Sequence, residues 1–298
     1  MKKLLVLLIG LSGWGGEVRA QSSDRQTIIA LQDSLVKLGG LMYNEPSEPE
    51  RLKANFTFIK TFVSALKQPH SYSFPFDSLN MVSKLSAPDD RFRIFSWHIQ
   101  LNDGSYLYYG TIQMNSPDGT LSMHALLDKT YEIESPETAI TTASNWYGAQ
   151  YYRIIPFKGD YLLLGWKGHT PHMTQKVIEV LQVSTAGVRM GKTVFDSENS
   201  RRNARMIYRY NRNASMYMEY DPAENRIVLD HLAPSDERYK GHYEEYGPDL
   251  TYDAWALKNG RLIHATDIQL LNLPDPNDNL YNDPHKPLDH PKSGIPIQ

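Results

Sequence analysis

The sequence contains no cysteine in 298 residues. This absence excludes a disulfide framework, a thiol nucleophile, thiolate metal ligands and the lipid-modified cysteine of a bacterial lipoprotein. An excess of charge is also missing, because 31 basic and 34 acidic residues give a formal net charge of -3. This balance does not favour a phosphate backbone or an anionic membrane as a partner, so we expect no nucleic-acid binding.

An apolar run long enough to span a bilayer is also missing near the N-terminus. Residues 4–11 are apolar, follow Lys2 and Lys3, and precede Val18-Arg19-Ala20. A membrane-spanning helix needs about 20 apolar residues, whereas a basic start, a short apolar run and a small residue are typical of a secretory signal peptide. The sequence therefore predicts a signal peptide over 1–20 and a mature chain that starts near Gln21. We expect export to the periplasm or the medium, with no membrane anchor after cleavage.

Familiar catalytic motifs are absent too. The sequence has no Gly-x-Ser-x-Gly nucleophile elbow, no His-Glu-x-x-His zinc motif and no EF-hand spacing. These absences favour a non-enzymatic protein, and we expect neither a cofactor nor a metal.

Aromatic residues and short alternating segments are what the sequence has in quantity, with 19 Tyr and 5 Trp. Apolar and polar residues alternate over 95–127, 151–195 and 205–264, and turn residues separate the segments. This pattern predicts a mainly β (α+β) fold of antiparallel meander sheets that form a sandwich or barrel-like body. A propeller is the alternative, although no repeat of blade length is found. We expect 206–210 and 216–220 to be neighbouring strands joined by a polar turn.

Two helices are predicted ahead of the strands, within 24–67. Helical spacing of leucines starts the first, and Gly39-Gly40 is expected to end it. Ser47, followed by Pro49 and Glu50, is a typical start for the second. The apolar stripe of the second helix is expected to face the core and consists of Leu52, Phe56, Ile59, Val63 and Leu66. A single β-rich domain over 21–271 then precedes a tail, 272–298, rich in Pro, Asp and Asn and poor in core-forming residues.

Several segments resemble a group of secreted β-rich proteins of Gram-negative bacteria with no known activity. The segments that carry the resemblance are PDDRFRI at 88–94, FKGDYLLLGW at 157–166, KVIEVL at 176–181, DHLAP at 230–234 and YGPD at 246–249 before Tyr252-Asp253. The resemblance implies a shared fold and export, and it implies no activity.

The segment 230–253 is the leading candidate for a ligand site. Its carboxylates, imidazole and aromatic rings could bind a hard cation or position a sugar or peptide. The competing interpretation is that Asp230 and Asp249 cap turns and the tryptophan belongs to the core. We predict that this segment, read as a connection of about twenty residues, lines the principal concave surface. The candidate residues are Asp230, His231, Asp236, Tyr246, Asp249, Asp253 and Trp255.

Two weaker candidates remain. His169 and His172 could ligate a transition metal, but no third ligand lies at a diagnostic spacing, and a solvated loop is the simpler interpretation. Glu244 or Glu245 could act with Asp249 or Asp253 in a glycan-type hydrolase. The leading hypothesis is an exported binding or assembly protein of the cell envelope that presents 230–253 to a ligand or protein, and the hydrolase is the alternative.

Overall fold

The computed structural model describes residues 15–270, with side chains from residue 24 onward. These residues form a mainly β fold with two N-terminal helices and largely antiparallel sheets, which confirms the predicted fold class. The body is sandwich-like, and no barrel closes within the described range. The expected signal peptide lies outside the described residues except for 15–20, and so does the expected tail.

Helix α1, Gly15–Asn44, runs straight through the two glycines that were expected to end it. At Gly39 a β-carbon would come within 2.4 Å of the terminal methyl group of Met81, so this glycine allows close packing of the helix and is not a stop signal. The helix ends instead just before Pro46, because proline removes a helical hydrogen bond and clashes with the preceding turn. Neither helix in the described range is long and apolar enough to cross a membrane.

Helix α2, Glu48–Leu66, starts after Ser47 as predicted, although the Ser47 hydroxyl makes no capping hydrogen bond. The predicted apolar stripe is wrong at Phe56. Phe56 is 59% exposed, whereas Phe58 and Phe62 are fully buried. The helix carries two overlapping apolar faces, and periodicity alone cannot decide which one meets the sheet.

The first sheet packs against these helices. It is antiparallel and keeps its strands in chain order, as the predicted meander requires. Phe95 and Trp97 face the helices, with ring centroids 4.9 Å from Phe62 and 5.4 Å from Phe58, respectively. Alternate residues of the same strand face the second sheet. The strands are β1, Ser83–Ser86; β2, Phe92–Gln100; β3, Tyr106–Met114; and β4, Ser122–Leu127.

The second sheet lies under the first and has six strands within residues 15–270. Its order is β5-β9-β8-β7-β6, and β11 pairs with the first half of the long strand β8. The strands are β5, Thr141–Thr142; β6, Gln150–Phe157; β7, Asp160–Gly168; β8, Met173–Ser184; β9, Gly187–Met190; and β11, Arg205–Asn211.

The third sheet covers the other face of the second, so helices and sheets form successive layers with one apolar core between each pair. Its order is β10-β15-β14-β13-β12, in which only the short β10–β15 pair is parallel among the described strands. The strands are β10, Phe195–Asp196; β12, Met218–Asp221; β13, Arg226–Pro234; β14, Tyr246–Lys258; and β15, Arg261–Ala265.

The expected hairpin of 206–210 with 216–220 does not form. Strand β11 pairs with β8 in the second sheet, and β12 pairs with β13 in the third. The polar segment between them, residues 212–217, passes from the second sheet to the third, and we call it the crossing. Alternation shows which face of a strand is buried but not which strand lies beside it.

A buried ion pair joins β8 to β11. Glu179 and Arg205 are both 0% exposed, and Arg205 Nε lies 3.0 Å from Glu179 Oε2. The other carboxylate oxygen accepts a hydrogen bond from the Tyr151 hydroxyl. The remaining Arg205 donors bond to one irregular segment, 128–149: their acceptors are the carbonyls of Pro136 and Ala139 and the hydroxyl of Thr141.

A second buried cation holds the same segment. Lys167 on β7 donates to the Gly148 carbonyl and to the Thr130 hydroxyl. The ring of Tyr147 lies 4.5 Å from Lys167 Nζ and 5.4 Å from the Arg205 guanidinium carbon. Burial lowers the pKa of Lys167 to about 8. Two cations that project from the second sheet therefore attach a segment with little regular structure of its own.

Replacing Arg205 by Ala should lower the free energy of unfolding by about 3–5 kcal/mol, because Glu179 would remain buried without its counter-charge. Arg209→Ala is a matched control on the same strand, since Arg209 pairs with Glu137 in a partly exposed position. That control should cost about 1 kcal/mol or less. Urea denaturation of both variants measures the difference, and equal losses would contradict the role given to the buried pair.

Candidate functional site

Most of the predicted 230–253 loop is strand. Strand β13 continues to Pro234 and β14 begins at Tyr246, so only 235–245 connects them. Residues beyond Asp230 extend past the pairing of β13 with β12. We call 230–252 the hairpin arm. The expectation of a long loop was wrong because Pro234 and Gly247-Pro248, which signal turns, lie within paired strands.

Two of the seven candidate residues are in direct contact on the arm. His231 Nδ1 lies 2.8 Å from Asp249 Oδ2, and both side chains are partly exposed. The second Asp249 oxygen accepts from the backbone N–H of Thr251 at 3.1 Å and from its hydroxyl at 2.8 Å. Burial raises the pKa of Asp249, but the hydrogen bonds from Thr251 and His231 outweigh it, and the net shift is downward. Asp249 is therefore a carboxylate that braces both strands.

Asp253 and Trp255 lie at the base of the arm and face inward. Trp255 is 1% exposed, and its Nε1 donates to the Tyr208 hydroxyl at 2.6 Å. Asp253 is also buried, with Oδ2 at 3.5 Å from His264 Nε2 and with Oδ1 unpaired among the described residues. Trp255 is therefore a core residue, as the competing interpretation expected, and neither Trp255 nor Asp253 is accessible to a ligand on the surface.

The other three candidates bond to their own neighbourhood. Asp230 accepts from the backbone N–H of Tyr217 at 2.6 Å, and Asp236 accepts from that of Arg238 at 2.9 Å. The Tyr246 hydroxyl accepts from the backbone N–H of Gly241 at 3.0 Å. These contacts shape the arm and its tip, as the turn interpretation expects.

The acidic side chains suggested for hydrolysis lie in different parts of the arm and at its base. Asp249 is partly exposed and pairs with His231, Asp253 is buried at the base of the arm, and Glu244 and Glu245 lie at the exposed tip. Glycoside cleavage needs two carboxylates within about 5–9.5 Å of each other, and such a pairing of Glu244 or Glu245 with Asp249 or Asp253 stays a prediction. Among the side chains that the structure describes, residues 24–270, no group of three or more His, Asp or Glu is arranged to hold a metal ion.

His169 and His172, the other metal candidates, have different surroundings. Burial lowers the pKa of His169 to about 4, and its Nδ1 is buried without a partner in the described chain. His172 is exposed on the same loop.

Leu250 is the feature of the arm that sequence reasoning missed. It has φ +73 and is 90% exposed. Three residues of β14, Asp249 to Thr251, lie opposite the single residue His231 of β13, so the strand bulges and turns Leu250 outward. A left-handed conformation costs a residue with a β-carbon about 1–2 kcal/mol. Because the side chain is exposed, it buries no apolar surface that would offset this cost, so stability does not account for a leucine at this position.

Two depressions flank the arm and the crossing segment. A groove of about 420 Å³ runs between the arm and the crossing. Eight of its ten lining residues lie within 230–253, and they include Glu245, Tyr246 and Asp249. The segment 230–253 therefore lines a concave surface as predicted, although Asp230, His231, Asp236, Asp253 and Trp255 do not line it. A cleft of about 390 Å³ lies on the other side of the crossing, lined by Tyr106, Trp166, Lys176 and Arg212 among others. No sequence signal could have found it, because these residues are remote in sequence and meet only when the layers stack.

No protein family, curated protein or solved structure matches the chain. Similarity to known proteins therefore suggests no activity for the chain, and a function is inferred below from the geometry of its own residues.

Leu250→Gly should raise the free energy of unfolding by about 1 kcal/mol, because glycine adopts positive φ without the β-carbon clash. Leu250→Ala keeps that clash and should change stability by about 0.5 kcal/mol or less. Chemical denaturation of the two variants separates strain from side-chain packing. A destabilised glycine variant would show that the leucine side chain supports the arm.

Proposed function

We propose that the protein is an exported, non-enzymatic binding or assembly protein, and that its hairpin arm docks a partner protein of the cell envelope. The observation that carries the proposal is Leu250, a large apolar side chain that is 90% exposed in a strained backbone conformation. Strain of this kind is typically retained at functional positions. A projecting apolar residue fits a pocket on a partner, where a few such anchors supply most of the binding energy.

Exposed tyrosines lie on and beside the same arm. Tyr239 and Tyr243 at the tip and Tyr217 beside the arm are 40–50% exposed. Tyrosine is enriched at protein interfaces because it combines apolar area with a polar hydroxyl. The tip is held in place, since the Asn211 side chain donates to the Glu244 carbonyl at 2.6 Å. The docking surface is therefore positioned before a partner arrives.

The charge of the arm indicates the kind of partner. Residues 230–252 contain six acidic residues against Arg238 and Lys240, a net charge of -4 with histidine neutral. Both cations already pair with neighbouring carboxylates at the tip. A basic protein surface with an apolar pocket complements this arm, and opposite charges also speed association. The cell-envelope location is supported by the signal-peptide pattern of 1–20.

Site-specific photo-crosslinking at position 250 in intact cells identifies the partner, which is then purified for direct binding measurements. We expect Leu250→Ala to weaken binding at least tenfold. Leu41→Ala is the matched control, because Leu41 is also an exposed leucine, at 49%, but lies on helix α1. That control should bind like the wild type, and added salt should weaken all the complexes that form.

Three results would reject the proposal: a crosslink only to a second copy of this chain, a partner with an acidic contact surface, or equal affinities for the two leucine variants.

A further inference from the structure

The cleft beside Tyr106 has the size and the composition of a small-ligand site. Its volume of about 390 Å³ lies within the range of about 300–1,000 Å³ that such sites have. Three parts of the fold meet there: the first sheet contributes Tyr106, the second contributes Trp166 and Lys176, and the crossing contributes Arg212 and Met216. No candidate residue predicted from the sequence lines it.

Arg212 carries a positive charge that no carboxylate in the described chain neutralises through an ion pair. Its guanidinium donates to the carbonyls of Gly104 and Thr170, both at 3.0 Å, and to the Tyr106 hydroxyl at 2.6 Å. The guanidinium carbon lies 5.2 Å from the centre of the Tyr106 ring. Three neutral acceptors therefore fix the orientation of the group and leave its charge uncompensated.

Lys176 is the second cation of the cleft. It is half-buried, and its Nζ lies 4.7 Å from the centre of the Tyr152 ring. Burial lowers the pKa of Lys176, although Glu219 and Asp230 act in the opposite direction. Neither acid reaches ion-pair distance from Lys176. Two partly desolvated cations at one cleft cost free energy, and an anionic ligand would offset that cost.

The remaining lining suits a hydroxylated ring. Thr174, Tyr210 and Ser215 line the cleft, and their hydroxyls make no hydrogen bond within residues 24–270. Burial raises the pKa of Tyr210 to about 12, so its hydroxyl keeps its proton and can donate. The Trp166 ring is held by contact with Tyr106, at 5.5 Å between centroids. An indole packs well against the apolar face of a sugar ring.

We propose that this cleft binds an acidic saccharide, whose carboxylate lies against Lys176 and Arg212, whose hydroxyls bond to Thr174 and Tyr210, and whose ring lies beside Trp166. The site is independent of the docking surface around Leu250. The protein then binds a soluble acidic sugar or an acidic glycan chain at the cleft and the partner protein at the arm.

Isothermal titration calorimetry with matched disaccharides tests the proposal. The probes are the α-1,4-linked disaccharides of galacturonate and of galactose, which differ only in their carboxylates, and inorganic phosphate. We expect the acidic disaccharide to bind at least tenfold more tightly than the other two. Lys176→Gln should weaken that binding at least tenfold, whereas Lys60→Gln, which removes an exposed cation on helix α2, should leave it unchanged.

Arg212→Lys is the second variant, in case Lys176→Gln does not fold. It keeps the charge but loses the planar set of donors, and it should also weaken binding. The proposal is overturned if neither disaccharide binds, if phosphate binds as tightly as the acidic disaccharide, or if folded variants of both cations keep the wild-type affinity.

Discussion

Glu179 and Arg205 each lie wholly inside the protein, and each compensates the charge of the other. Separating two such groups costs far more than breaking an exposed pair, because each would remain in a poorly solvated interior. Shifting β11 by one residue against β8 would turn Arg205 to the opposite face of the sheet. The ion pair therefore fixes how these two strands pair, whatever it contributes to net stability.

Both surfaces proposed for binding depend on that pairing. With Arg205 opposite Glu179, Tyr208 lies opposite Lys176 and Tyr210 opposite Thr174. Thr174, Lys176 and Tyr210 line the cleft, and the chain leaves β11 at Asn211 so that Arg212 also lines it. From Asn211 the chain then crosses to β12 in the third sheet. Asn211 and Tyr217, at the two ends of this crossing, both form hydrogen bonds with the arm.

Sequence periodicity was sufficient to predict the features that depend on residues close together in the sequence. It located most strands, both helices and the capping role of Asp249, because alternation, helix starts and aspartate caps are local effects. It failed where the decision depends on distant residues. The partner of β11, the buried side of α2 and the inward position of Asp253 are all set by packing between layers.

The two features that carry the functional proposals were hidden for different reasons. Leucine is not a turn residue, so nothing in the sequence marks Leu250 for positive φ, and only the bulge opposite His231 reveals it. The cleft joins Tyr106, Trp166 and Arg212 from three separate parts of the fold. In contrast, His231 and Asp249 were grouped from the sequence and do meet, although their contact braces the arm.

Hydrogen exchange of the Glu179→Gln variant tests the central role of the buried pair most directly. The substitution keeps the size of the side chain and removes the charge that Arg205 needs. The amides of 128–149 and of β11 should exchange faster than in the wild type, because Arg205 attaches that segment and aligns that strand, while α2 and β2 keep their protection. Unchanged protection over 128–149 would contradict the claim that this ion pair organises the fold around both binding surfaces.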